Sequence, residues 1–445
     1  MFKTFRDALK IKEIRKKIIF TLLMLIVVRL GVMIPVPGLN GQVISDLFNS
    51  DAQNGIGGMF NFFNALTGGS FEQMSVFALS ITPHITSSII MQLLTIAIPK
   101  FEEWQKDGED GRKKINVITR YVTVGLALLQ STAMVIGFWN QNFIDATKNK
   151  FFVAALAVLA MTAGSAFLMW IGERITEKGV GNGISMILLF NILSTVPSDF
   201  GRLYEQFIKT EPKLAMKLLA ALIILAIVLF IIVFVVLLQE GQRKIAVQYS
   251  QKIQGRKTLG GQSTHIPLKV NTAGVVPVIF ASSLMQFPIV IATLIGKSDA
   301  TGFWGAVMKG LNSNNWCRPK DLVPSWGLVL YIILTVLFAY FYTSITFNPM
   351  EIANNMKKNG GFVPGIRPGK PTVDYLTKIL NYIIFIGAVG LVIVQLVPFV
   401  FNGTMNASVS FGGTSLIIIV GVILETINQI ESQMLVRNYT GFLNK

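Results

Sequence analysis

The chain has 445 residues, 52% of them hydrophobic and only 14% charged, with a mean hydropathy of +0.58. Soluble domains carry about 25% charged residues, so an ordinary soluble domain is excluded and a polytopic helical membrane protein is the class that remains. The net charge of +16 would suit nucleic acid, but the placement of the basic residues, taken up below, argues against it.

Residues 1–17 hold seven basic residues, and the apolar run after them lacks a small-residue cleavage site, so the run reads as a retained span rather than a removed signal. Apolar segments then recur near 18–36, 74–98, 116–138, 151–172, 183–196, 218–238, 272–295, 327–347, 379–400 and 414–434. A span takes about 20 apolar residues, which makes ten spans if the short fifth one continues into the loop after it. Proline and glycine mark the gaps, as at Pro35-Val36-Pro37-Gly38, Pro324 and Pro368-Gly369.

Between the first two spans, residues 55–69 are apolar but broken by Gly55, Gly57, Gly58, Gly68 and Gly69 around Met59, Phe60, Phe62, Phe63 and Leu66. This piece is too short to cross a bilayer and can only dip into it, which is tolerated beside protein or a water-filled cavity. The segment from Met74 to Ile98 is long enough to cross. It sets Ile81, Ile85 and Ile89 four residues apart, on one face of a helix. A greasy half-span before an isoleucine stripe suggests a stopper beside a narrow apolar throat. A surface loop before a lipid-facing helix accounts for the same residues.

Cytoplasmic loops keep the excess of Lys and Arg. With the N-terminus inside, 27 of the 39 basic residues fall in inside segments and ten in outside ones, and none lies between Leu30 and Pro99. Both termini are therefore expected on the cytoplasmic side. Arg29 and Arg120 fall within spans, as does Glu425, and such charges are costly unless paired or near an interface. Headgroup contact is the expectation for Arg29, and a place near the cytoplasmic end for Glu425.

Two inside loops, 239–269 and 348–378, are too long and basic to be simple connections. The first alternates like a strand from Lys244 to Tyr249, with Arg256-Lys257 at its far end; the second holds Arg367 between Gly365 and Pro368. Fixed basic projections suit docking to protein or RNA. Anchoring to anionic lipid through positive charge is the simpler alternative.

The single Cys317 excludes an intrachain disulfide and a cysteine metal site, and His84 and His265 are far apart, so no metal or other cofactor is expected. Gly296-Lys297-Ser298 ends like a phosphate loop, but Ile291 stands where the leading glycine belongs. Gly179-Val180-Gly181-Asn182-Gly183 reads as a tight turn, and His84 as a packed residue. No catalytic set emerges, so the chain is not expected to be an enzyme. An internal echo does appear: Pro83 to Ser88 leads to Met91-Gln92, and Pro277 to Ser283 leads to Met285-Gln286, five spans later, as in inverted repeats.

The runs ITPHITSSIIMQLL, GVGNGIS, QSTHIPLKVNTAGVVPVIFASS, FVPGIRPGKPT and FGGTSLIIIVGVILET, in this order, resemble the SecY family of translocase channel subunits over essentially the whole chain. That resemblance implies an all-α polytopic membrane protein: ten transmembrane helices in two inverted five-helix halves, with a short re-entrant plug helix. Domains would then be a basic N-terminal segment (1–17), an N-terminal half (18–196, plug about 57–69), an external hinge loop (197–217), a C-terminal half (218–434) and a cytoplasmic tail (435–445). The implied function is a conduit in the bacterial plasma membrane for unfolded secretory polypeptides, opening sideways to release helices into lipid.

By the same resemblance the pore constriction is Ile81, Ile85, Ile184, Leu188, Ile279 and Ile418, with Leu188 departing from the usual isoleucine. The plug includes Gly57, Met59, Phe60, Phe63, Leu66 and Gly69. A lateral gate lies between the second and seventh spans, with Gln92, Asn271, Ser87 and Ser282 as candidates. Arg256, Lys257 and Arg367 would contact the ribosome or the SecA motor, and SecE and SecG are the implied companion subunits. A secondary transporter of a small solute and an accessory SecY paralogue with few clients are the alternatives. The mainly apolar middles of the second, fifth and seventh spans favour the conduit over an ion-driven transporter.

Overall fold

The computed structural model describes residues 2–39, 64, 67–137, 139, 149–205, 214–249, 252–254, 257–259, 263–294, 303–312, 316–317, 325–405 and 413–443. Ten helices coincide with the ten apolar segments: α2 (Lys12–Val32), α3 (Thr82–Ala97), α5 (Glu109–Gly137), α6 (Lys150–Lys178), α7 (Gly183–Leu203), α8 (Leu214–Glu240), α9 (Val276–Leu294), α11 (Trp326–Thr346), α13 (Lys370–Met405) and α14 (Gly413–Leu443). The short helix α1 (Phe2–Lys10) precedes them, and α4 (Pro99–Lys106), α10 (Phe303–Leu311) and α12 (Pro349–Lys358) lie between them. Among the described residues, six helices are long and apolar enough to cross a membrane by length and composition alone: α6, α7, α8, α11, α13 and α14. The first and third spans carry clusters of charge at their starts, and α3 has only 16 residues.

That shortness departs from the sequence reading, which ran the second span from Met74. Residues 74–81 instead form turns, with Met74 and Ser80 at φ +45° and +50°. Pro83 is the reason the helix starts where it does. It lacks an N–H and fits best in a first turn, where it sits here. The turns are tied to the end of α2, Val36 N–H donating to Met74 O and Val76 N–H to Ile34 O, both at 2.9 Å. The fifth span does continue past its apolar run, and α7 takes Pro197 into its interior.

Apolar side chains pack into two main cores. One joins α2, α3, α6, α7 and α14; the other joins α8, α9, α11, α13 and α14. Among the described residues, only α14 and Val275, just before α9, serve both cores. Glycines allow close approaches in the first half: a Cβ at Gly183 would run into the Gly172 carbonyl, and one at Gly164 into the Val76 carbonyl. Buried hydroxyls turn back onto their own helices, as Thr123 does to Thr119 O at 2.7 Å, or join neighbours, as Ser131 does with Thr162 at 3.0 Å. Such bonds between apolar helices contribute about 0.6–2 kcal/mol each.

The two long basic loops form one unit. Strand β1 (Gln242–Tyr249) pairs antiparallel with β4 (Ser263–Lys269), from Gln242↔Lys269 to Gln248↔Ser263. From the other loop, β5 (Gly361–Phe362) adds to β1 at Tyr249↔Gly361. Between β1 and β4, β2 (Lys252–Gln254) and β3 (Lys257–Leu259) make a separate small hairpin. Ile245, Val247, Leu268, Ala353, Met356, Val363 and Leu376 bury a common core beneath the larger sheet.

The glycine contacts give a stability test. Gly183→Val should lower stability by about 1–3 kcal/mol through overpacking against the Gly172 backbone. Gly125→Ala meets nothing within 4 Å and should be neutral or slightly stabilising. Thermal unfolding of the two purified variants in detergent checks the contrast.

Candidate pore constriction and plug seat

Five of the six expected constriction residues belong to one apolar cluster. Ile81 and Ile85 come from the start of α3, Ile184 and Leu188 from α7, and Ile418 from α14. Ile81 is fully buried, Ile418 and Leu188 nearly so, while Ile85 and Ile184 are half-buried. Chain order does not bring them together; the placement of α14 against α7 does. Asn182 starts α7 in register, its side chain accepting from Ile184 N–H at 3.1 Å and Ser185 N–H at 3.4 Å. Ile279 is half-buried and stands outside this cluster. Val275, one turn before it, packs on the cluster instead. Sequence reasoning missed Val275, although its four-residue spacing from Ile279 was the available signal.

Around this cluster the turn at 179–183 ties the first half to α14. Gly181 is at φ +82°, and its N–H donates to Gln429 Oε1 at 2.7 Å. Val180 N–H donates to Thr21 Oγ1 at 3.0 Å. These bonds tie the start of α7 to the middles of α2 and α14.

Most of the expected plug, including Gly57, Met59, Phe60, Phe63 and Leu66, lies outside the described residues. Its far end is described. Gly68 and Gly69 are at φ +68° and +85°, and Gly69 N–H donates to Asn64 O at 2.9 Å. Asn64 is buried and exchanges bonds with Glu72, its Nδ2 donating at 2.8 Å and its Oδ1 accepting the Glu72 N–H at 3.2 Å. The Ser70 hydroxyl lies 2.8 Å from Thr67 O and 2.9 Å from Phe77 O. Arg29 reaches into this knot, Nη1 donating to Gly68 O at 2.8 Å and to Ser194 Oγ at 3.3 Å. The headgroup contact expected for Arg29 is thus replaced by bonds to protein.

The gate candidates are not joined to one another by any described bond. Ser87 is buried and donates to Thr119 O of α5 at 2.8 Å, while Ser282 donates to Ile279 O of its own helix at 3.0 Å. Gln92 is exposed; Asn271 is buried and its Nδ2 has no hydrogen-bond partner among the described residues. The helix α9 packs on α11 and meets the first half through α5, so the third span forms a principal part of the seam.

Of the docking candidates, Arg256 lies outside the described residues and Lys257 begins β3. Arg367 is exposed on a stiff turn. Gly365 and Gly369 flank it at φ +82° and +109°, and its carbonyl accepts from Thr372 Oγ1 at 2.9 Å. His84 is packed, its Nδ1 3.2 Å from Thr123 Oγ1. Arg120 pairs with Glu173 across α5 and α6 at 2.7 Å, and Glu425 is exposed. Burial pushes the Cys317 thiol up, away from the reactive thiolate. Among the described residues no group of acidic, His or Cys side chains could hold a metal.

The SecY family model matches residues 75–427. The protein translocase subunit SecY of Bacillus subtilis (strain 168) is 42% identical, with all of both chains covered. That of Thermotoga maritima is 38% identical, covering all of this chain and 98% of its own. A solved structure described as that of a protein conducting channel superposes with a TM-score of 0.64 at 16% identity, covering 96% of each chain. Sec61 in a canine ribosome-channel complex gives 0.62 at 16% identity, again with 96% of each chain covered. With a family model over most of its length and full-length relatives of this identity, the chain belongs to the SecY family of protein translocase subunits.

Proposed function

We propose that the chain works as a passive, partner-driven conduit whose resting seal is the apolar cluster made by Ile81, Ile85, Ile184, Leu188 and Ile418. The observation that carries this is their convergence from three separate segments. A narrow apolar constriction sheds water, and without water ions do not pass. Isoleucine and leucine side chains also deform around an extended polypeptide without binding it. Ile279, on the facing helix, would close the ring from the second half.

Residues 57–69 act as the plug, seated at the outer mouth. Sideways release runs through the seam where α9 faces α3 and α5. An exposed Gln92 and an unpartnered Asn271 amide offer a weak latch there, of a size a hydrophobic segment can displace. The unit built from the two basic loops presents Arg367 to a driving partner, the ribosome or SecA. It lies on the cytoplasmic side of the bacterial plasma membrane together with both termini. SecE and SecG are the companion subunits, and anionic lipid meets the remaining positive charge. Residues 197–217 hinge the halves 18–196 and 218–434. The chain has no catalytic role, and the work of ATP hydrolysis belongs to the motor. Translocase relatives over the full length favour this reading over a small-solute transporter.

Three outcomes are expected. Removing residues 57–67 should make reconstituted vesicles leak ions, read as collapse of an imposed potassium potential; a tight vesicle would refute the plug. Arg367→Glu should stop motor-driven export of a secretory precursor while the protein inserts and melts normally; undiminished export would remove the docking role. Finally, Ile81→Ala should cost about 2–5 kcal/mol of stability and Ile279→Ala clearly less, because only Ile81 is fully buried. Thermal unfolding measures the difference.

A further inference from the structure

Arg29 is a cation in the last turn of α2, and its described partners are two uncharged oxygens, Gly68 O and Ser194 Oγ. A permanent helix–helix contact needs no charge here, and a cation among membrane helices is costly. Its place is made tolerable by the carbonyl end of α2, where positive charge is favoured. What the charge adds is a strong bond to one backbone carbonyl of the turn that ends the plug segment. That turn is otherwise held by a longer contact from Ser194 Oγ to the same carbonyl at 3.5 Å, by Ser70 to Phe77 O at 2.9 Å, and by shape. A Cβ at Gly68 would lie 3.1 Å from the Asn191 Cα, and φ there is +68°, so a glycine is required.

Ser194 makes the arrangement reversible. Its hydroxyl already donates to Asn191 O at 2.7 Å, leaving its oxygen lone pairs to accept from Arg29. When the turn departs, Arg29 keeps an acceptor on α7 and is not stranded. We propose that Arg29 is a positioning latch: its bond to Gly68 O holds the end of the plug on α2 and α7 and sets how often the resting channel opens. This rests on the plug reading given above.

The test uses the full-length chain with its co-purifying subunits in lipid vesicles, reading resting ion leak. Arg29→Gln should raise the leak about tenfold, the effect of losing one charge-assisted hydrogen bond. Arg29→Lys should restore most of the seal. In a chain lacking residues 57–67, which is already leaky, Arg29→Gln should add nothing. Gly68→Ala is an independent variant that leaves Arg29 in place and should leak similarly. If the deletion leaks while Arg29→Gln and Gly68→Ala stay tight, the latch is wrong and the plug stands. A leak that Arg29→Gln adds equally in the deleted chain also overturns the latch. A tight deletion refutes plug and latch together.

Discussion

The fold depends on apolar side chains from distant segments packing into one cluster between the helices. Ile81, Ile184, Leu188 and Ile418 come from segments far apart in the chain and meet in one cluster with Leu25, Val28 and Ile171 behind them. Side chains of this kind offer water no partner, which is why the proposed seal would stop ions by shedding their hydration.

Turns between helices tie that cluster together. The turn at 179–183 binds α2 and α14 through Val180 and Gly181. The turn at 67–70 binds α2 and α7 through Arg29 and Ser194. Both turns use glycines with positive φ, which place backbone N–H and C=O groups where side chains from other helices can reach them. In an apolar medium each such group must find a protein partner. The need to satisfy backbone therefore positions the cluster. Meanwhile α14 and Val275 carry contact between the two cores, so a displacement of one half acts directly on the cluster.

The strands β1, β4 and β5 and the helix α12 bury a core of their own with Leu376 and Ile383 of α13, the helix that also carries Leu391 and Val394 of the second bundle core.

Ten helices were legible in the sequence because apolar run length is a local property, and each run proved to lie in a helix. So was the isoleucine stripe of the second span, by its four-residue spacing. The family motifs carried the expectation of a constriction. The start of α3 was misplaced by eight residues because apolar content hides a turn, although Pro83 marked it. Partners of single polar groups were not legible at all. Arg29 finds its acceptors 39 and 165 residues away, and Ser87 turns to Thr119 rather than toward Ser282. The pairing of Tyr249 with Gly361, 112 residues later, which joins the two loops into one sheet, was equally hidden. Hydrophobic patterning states only that a residue leaves water. Which residue it then meets depends on how helices cross and where their ends are tied, and only the packed chain decides that.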